Sequence, residues 1–184
     1  IFLNQTPILQ SAASVTAPND SDFNFQDVGF EFREGTANQT FISGIKNIET
    51  EVGIGTVVTT TNPVTHTVSQ STINAVRVTI QFPSMQVFNN EGGIDGTEVN
   101  LLIKIIENDG TTTTAVNDTV KGRSTNAYNR DYLINLKSGT SFPVQIRVER
   151  VTADSTDSKT VNAFRFSSAT NIIMTQNAYP NTAH

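Results

Sequence analysis

The stretch Val99-Asn100-Leu101-Leu102-Ile103-Lys104-Ile105-Ile106-Glu107-Asn108-Asp109-Gly110 decides the fold. Val99, Leu101, Ile103 and Ile105 occupy every second position, which puts them on one face of an extended strand. Asn108-Asp109-Gly110 then breaks the run. Asp-Gly between two β runs predicts a hairpin, because both residues tolerate positive φ. Thr111 to Val120 reads as the returning strand. The same alternation recurs on both sides of this hairpin. Upstream, His66 to Ser69 predicts a first strand, and Val76, Val78, Ile80 and Phe82 predict a second that stops at Pro83. Downstream, Tyr132, Ile134 and Leu136 end at Ser138-Gly139, and Val144, Ile146 and Val148 keep phase with Arg150. Phe164 and Phe166 open a last strand pair that Ile172 and Met174 continue. Asn89 to Gly93 and Ala153 to Lys159 read as polar loops.

Pro63 to Thr175 thus holds about seven short strands at regular spacing, the pattern of an antiparallel β-sandwich. The expected core is Val76, Val78, Ile80, Val99, Leu101, Ile103, Tyr132, Ile134, Val144, Ile146, Val148, Phe164 and Phe166. Each buried aliphatic or Phe side chain contributes roughly 1.5–3 kcal/mol, enough in sum for an autonomous domain. The N-terminal part is less regular. Ile1-Phe2-Leu3 predicts a short strand entering a turn at Asn4-Gln5-Thr6-Pro7, and Gln10 to Asp22 an exposed loop. Val28, Phe30 and Phe32 alternate as a strand would, with Gly35 ending it. Thr36 to Gly55 reads as irregular or weakly extended, because Gly44, Gly53 and Gly55 and the β-branched content oppose a long helix. The division expected is an N-terminal extension over 1–62, a sandwich over 63–176 and a tail over 177–184.

Composition narrows the class. Charged residues make up 16% and hydrophobic residues 36% of the 184 positions. Charged residues run near about 25% in most soluble domains; here Thr, Asn, Ser, Val and Ile take their place, which favours half-buried strands and polar turns. Net charge is −5 with the 12 basic residues dispersed, so no nucleic-acid footprint and no polybasic membrane patch is expected. With no cysteine, a disulfide scaffold, a thiolate metal site and a Cys nucleophile are excluded. No 18-residue apolar run predicts a membrane span. Ile1 to Gln10 lacks the features of a signal peptide. A chain opening at Ile1 reads as part of something longer.

Candidate chemistry is sparse. His66 lies between Thr65 and Thr67 and is expected on a strand surface; His184 is terminal. Neither has the nucleophile and orienting partner that a catalytic base requires. Asn89, Asn90, Glu91 and Asp95 lack the ligand order of a calcium loop, and Asp154 and Asp157 suit Asx turns. Gly53-Ile54-Gly55 is too short for a dinucleotide fingerprint. Asn4-Gln5-Thr6, Asn38-Gln39-Thr40 and Asn117-Asp118-Thr119 match the glycosylation acceptor by chance in a chain without secretion signals. Arg147 and Arg150 could meet a partner's carboxylate, but a cross-strand pair with an acidic neighbour on the open face is the preferred reading. Glu98, Glu107 and Glu149 are not placed together as a glycosidase pair would be. The expectation is therefore no catalytic, cofactor-binding or metal residue, no cofactor, and no enzyme.

An ordered series of segments carries a resemblance. Lys121-Gly122-Arg123-Ser124-Thr125-Asn126-Ala127-Tyr128, Arg130-Asp131-Tyr132, Arg147-Val148-Glu149-Arg150-Val151-Thr152-Ala153-Asp154-Ser155 and Tyr179-Pro180-Asn181-Thr182-Ala183 are similar to the host specificity, or tip attachment, protein J family of lambda-like phages. So are Phe30-Glu31-Phe32-Arg33-Glu34-Gly35-Thr36, Ala75-Val76-Arg77-Val78-Thr79 and the opening Ile1-Phe2-Leu3-Asn4-Gln5-Thr6-Pro7. His184 departs from the small apolar residue expected there. The resemblance implies a fibronectin type III-like sandwich inserted into a hub module of a trimeric tail tip protein. It also implies a virion location after assembly in the bacterial cytoplasm. Partners would be other tail tip proteins and copies of the parent chain. The receptor-binding tip would lie outside this chain. An inserted domain needs its ends close together, and Ile1 to Leu3 is expected to pair near Ile172 to Met174.

Two functions compete on this reading. One is a structural module of the phage tail tip. The other is a carbohydrate- or protein-binding sandwich that touches the host surface through loops Phe88 to Thr97 and Ala153 to Thr160, which carry Phe88 as their one aromatic residue.

Overall fold

A computed structural model of the chain describes residues 2–3, 5–11, 19–25, 31–42, 46–174, 178 and 181. It forms two compact units: Ile1–Ile45 with Met174–His184, and Lys46–Ile173. Among the described residues none is in an α-helix.

In the first unit β1 (Phe2–Leu3) pairs antiparallel with β2 (Thr6–Pro7), with Gln5 at φ 66°. The expected turn is present, but its partner is the local strand rather than Ile172–Met174. Residues 8–10 and 22–24 then close on each other through Gln10 N–H to Asp22 O and Asn24 N–H to Ile8 O, both 2.9 Å. The strand expected at Val28, Phe30 and Phe32 falls partly outside the described residues. Its described end, 31–36, is not a strand. Arg33 instead folds this segment into a loop, donating to Thr40 O at 2.9 Å and Phe41 O at 2.8 Å. Phe32, the described member of the alternation, is 38% exposed. The chain's C-terminal end joins the same unit: Gln39 Nε2 donates to Ala178 O at 2.8 Å.

The second unit is the sandwich. Its strands are β3 (Lys46–Val58), β4 (Val64–Val68), β5 (Ala75–Phe82), β6 (Gln86–Phe88), β7 (Ile94–Asp95), β8 (Thr97–Ile106), β9 (Thr112–Gly122), β10 (Tyr128–Asn135), β11 (Val144–Arg150), β12 (Thr160–Val161) and β13 (Phe164–Met174). Two four-stranded sheets, ordered β10-β5-β13-β3 and β4-β11-β8-β9, form the layers, and β12-β6-β7 make a small third sheet. The alternating residues fill the interior as expected: Val76, Val78, Ile80, Phe82, Val99, Leu101, Ile103, Val144, Ile146, Val148 and Phe166 are fully buried. Tyr132 is only partly buried, because its hydroxyl reaches Asp118.

Three expectations change in detail. Lys46 to Gly55, read as irregular, belongs to the 13-residue strand β3. Its alternation is obscured because Ile48 and Val52 remain exposed, and between residues 48 and 58 Val58 alone is fully buried. The sheet therefore starts well before the boundary expected at residue 63. The last strand pair is one strand: a register irregularity between Phe166 and Ser168 reverses the phase, so Ala169 follows Phe166 into the core. The hairpin after β8 uses positive φ at Gly110 alone, φ 87°, with Glu107 N–H bonding Thr111 O at 2.8 Å and Asp109 Oδ1 accepting from Thr111 N–H at 2.9 Å.

A Cβ at Gly110 would meet nothing within 4 Å, so Gly110→Ala isolates the backbone term. The expected loss is about 1–2 kcal/mol, the cost of left-handed backbone for a side-chain-bearing residue. Urea unfolding checks it, and an unchanged midpoint contradicts it.

Polar side chains bridge the layers near both edges. Tyr132 of β10 donates to Asp118 Oδ2 of β9 at 2.7 Å, and Arg130 joins the same carboxylate at 3.1 Å. Burial first, then the Asp118 bond, pushes the Tyr132 hydroxyl above its ordinary pKa. At the other side His66 Nε2 of β4 lies 3.0 Å from Asn171 Oδ1 of β13. His66 is thus half-buried between the layers, not on the strand surface as expected, because β4 is an edge strand whose even positions face β13. Glu51 of β3 accepts from Ser168 Oγ at 2.6 Å, and Val58 lines one cavity with Ala163. β3 and β13, neighbours in one sheet, therefore run in opposite directions.

Candidate functional site

The two loops singled out in the sequence are joined. β12 lies at the end of the 153–160 loop and pairs with β6, which pairs in turn with β7 in the 88–97 loop. Phe88 N–H donates to Lys159 O at 3.0 Å, and Lys159 Nζ reaches Asn90 Oδ1 at 2.7 Å. Asn89 organises its own turn: its Oδ1 accepts from Gly93 N–H at 2.7 Å and Glu91 N–H at 3.2 Å, and its Nδ2 donates to Asp95 at 3.2 Å. Asn89 Oδ1 and the Asp95 carboxylate are in this way turned onto the loop's own backbone and amide. Asp157 does the same for the second loop, accepting from Lys159 N–H at 3.0 Å and Thr160 Oγ1 at 3.2 Å. Among the described residues no three His, Asp or Glu side chains converge.

At the far end of the second loop sits Arg150, whose side chain is 2% exposed. The strand's period carries it inward after Val144, Ile146 and Val148, so the expected place on the open face is corrected. Its Nε donates to Thr152 O at 2.8 Å, Nη1 to Asn162 O at 2.9 Å, and Nη2 to Asn162 Oδ1 at 2.9 Å. The guanidinium lies 5.7 Å from the Phe164 ring centre and 3.1 Å from Asp154 Oδ1. Burial lowers its pKa and Asp154 opposes that shift. Asp154 in turn accepts from Thr60 N–H at 3.0 Å and Thr60 Oγ1 at 2.5 Å. One cation thus ties β11, the 153–160 loop, β12 and the β3–β4 turn together. Sequence reasoning kept Arg150 in phase with the inward residues, and that phase was the signal for its burial.

The Thr60 hydroxyl bond is the main reason the Asp154 carboxyl is held below its ordinary pKa. A carboxyl depressed on folding adds stability that is present above its ordinary value and is lost as pH falls through the depressed one. Asp154→Asn should therefore flatten the acid limb of the stability profile below about pH 4, where ordinary carboxyls titrate. Thermal midpoints from pH 7 to pH 2 check it; parallel curves for both proteins contradict it.

The remaining carboxylates are dispersed. Glu98 pairs with Lys121 at 2.8 Å, Glu107 Oε2 accepts from Ser141 N–H at 2.6 Å, and Glu149 lies 2.7 Å from Lys104 and 3.0 Å from Arg147. Arg147 pairs along its own strand, and Lys104 of β8 supplies the cross-strand partner. An open depression of about 580 Å³ lies by the small sheet, lined by Gly92, Ile94, Arg123, Ser124 and Thr125.

Side chains that spend their donors and acceptors on holding their own loops mark a β-sandwich module of structural type. The family described as tip attachment protein J, FNIII-A domain, matches residues 48–175. The chain belongs to this family, and its sandwich is fibronectin type III-like. It is also similar to two curated relatives named tip attachment protein J. That of Escherichia phage SECphi4 is 30% identical over 183 residues, covering 100% of this chain and 15% of the relative. That of Escherichia phage SECphi27 is 27% identical over 182 residues, covering 99% of this chain and 14% of the relative. The chain therefore spans only a small part of the relatives' length.

Proposed function

We propose that this chain is a structural domain of a phage tail tip protein, contributing to assembly of the tip and the host attachment apparatus. The observation that carries the reading is the family match across the sandwich, residues 48–175, in relatives named for tip attachment. The internal commitment of Arg150, Asp154, Asn89 and Asp157 supports a non-catalytic role. So does the separation of Glu98, Glu107 and Glu149, each on its own partner.

The domain is a sandwich set into a second module. Residues before Lys46 and after Ile173 belong to one compact unit, and β3 and β13 are neighbours in one sheet. Insertion of one domain into another needs neighbouring ends of this kind. The partners are other tail tip proteins and further copies of the parent chain in a trimer. The parent protein assembles in the bacterial cytoplasm and resides in the virion.

In-frame deletion of 46–173 from the parent gene, with a short Gly-Ser bridge, tests the role. The expected result is loss of infectious particles or tails with defective tips. Normal yield and infectivity would overturn it.

A further inference from the structure

We infer that the depression between the Gly92–Ile94 turn and the Arg123–Thr125 segment is a binding site for an anionic sugar, a ring that carries a phosphate or a carboxylate. The inference does not depend on the scaffold role.

Arg123 supplies the charge recognition. Arg33, Arg77, Arg130, Arg147 and Arg150 each form an ion pair. Arg123 and Arg165 form none among the described residues, although the chain is net acidic at −5; the Arg165 Nε is buried in its sheet, whereas Arg123 is exposed. Its Nη1 makes one long bond, 3.4 Å, to Ile94 O, which holds the exposed guanidinium at the wall of the depression. A planar guanidinium with free donors suits a phosphate or carboxylate in a forked arrangement.

The frame around it is fixed before any ligand arrives. Met85 and Ser124 exchange two backbone hydrogen bonds of 2.8 Å, which set the Arg123–Thr125 wall. The opposite wall is held by Asn89 N–H to Gly93 O at 3.0 Å and by the Phe88–Ile94 register pair. Both flanks are tightly packed: within the turn a Cβ at Gly93 would lie 2.8 Å from Asn89 Nδ2, and beside the other wall one at Gly96 would lie 3.0 Å from Gly122 O. Preorganisation of this kind spares a ligand the cost of ordering the loops. The volume, about 580 Å³, falls within the range of small-molecule sites.

Phe88 gives the second half of the recognition. It is 42% exposed and directly opposite Ile94 on the β6–β7 ribbon, so both side chains emerge on one face. An exposed aromatic ring across the ribbon from Ile94, which lines the depression, offers an apolar surface for a sugar's C–H face; Thr125 stands at the same rim, and the Ser124 hydroxyl is bonded to Asn126 O at 2.7 Å. Asp95, next along β7, lies on the other face of the ribbon by strand alternation and is bonded to Asn89.

The test is a titration of the isotope-labelled chain followed by amide NMR. Glucose 1-phosphate and glucuronate are the charged probes; glucose and inorganic phosphate are the controls. The expected result is saturable shifts confined to residues 92–94 and 123–125 with the two charged sugars. Arg123→Gln should weaken both by roughly tenfold, the scale of one lost charge-assisted pair, and Phe88→Ala by a few-fold, with thermal midpoints unchanged. Glucose binding as tightly as glucose 1-phosphate would overturn the role of Arg123. Inorganic phosphate binding as tightly as the sugar phosphate would overturn the sugar site in favour of a bare anion site. Shifts elsewhere, or none, would overturn the proposal outright.

Discussion

Phe82→Ala should lower the unfolding free energy by about 3–5 kcal/mol, the range for removing a large buried aromatic. Phe82 closes β5, is fully buried, and packs its ring 5.1 Å from Tyr128 and 5.7 Å from Phe164 between ring centres. Its loss removes the apolar area and also leaves two aromatic rings facing a cavity that strands on both sides hold open. Against a total stability of about 5–15 kcal/mol for a domain, this is a large fraction of the whole. Leu133→Ala on neighbouring β10 is the control, because Leu133 is 48% exposed; a surface change of that kind stays within about 0.5 kcal/mol. Guanidinium unfolding of both variants decides the matter, and equal losses would contradict the assigned layers.

Arg150→Ala is the second large effect, expected at about 3–5 kcal/mol, the scale for removing one member of a buried ionic network. The substitution strips donors from Thr152 O, Asn162 O and Asn162 Oδ1 at once. It also empties the space over Phe164 and leaves Asp154 with Thr60 alone. Arg150→Lys should restore little, since one ammonium cannot reproduce a planar fork aimed at several acceptors. Amide exchange gives the local signature: residues 152–162 should exchange faster in both variants while β5 and β8 keep their protection. A loss below about 1 kcal/mol, the scale of a single ordinary hydrogen bond, would show that the loops are held by other means.

The sandwich was readable because its interior strands obey period 2 without interruption. Val99 to Ile105, Val76 to Phe82 and Val144 to Val148 each turn one apolar face inward. β3 was not readable because an edge strand that leaves Ile48 and Val52 exposed shows no apolar rhythm, and its glycines imitate a loop. The irregularity after Phe166 broke a single strand into two apparent ones for a related reason: one extra residue inverts the alternation. The Phe30–Phe32 alternation misled in the opposite direction, since Arg33's bonds to Thr40 O and Phe41 O outweigh the strand preference at 31–36.

The candidate surface was half legible. Both loops were marked by their polar composition, but their union through β6, β7 and β12 was not. Strands of two or three residues carry too little pattern to be seen. Arg123 stood in the sequence as part of a family-like segment and nothing more. Its pairing with the 92–94 turn depends on the Met85–Ser124 contact, a relation between residues 39 positions apart (124 − 85 = 39) that no local rule reveals.

The central claim, that this sandwich is a structural part of a phage tail tip, is tested most directly by immunoelectron microscopy of intact virions with an antibody raised against residues 46–173. The account predicts label confined to the distal end of the tail. Particles without label, or label spread along the tail tube or over the capsid, would contradict it.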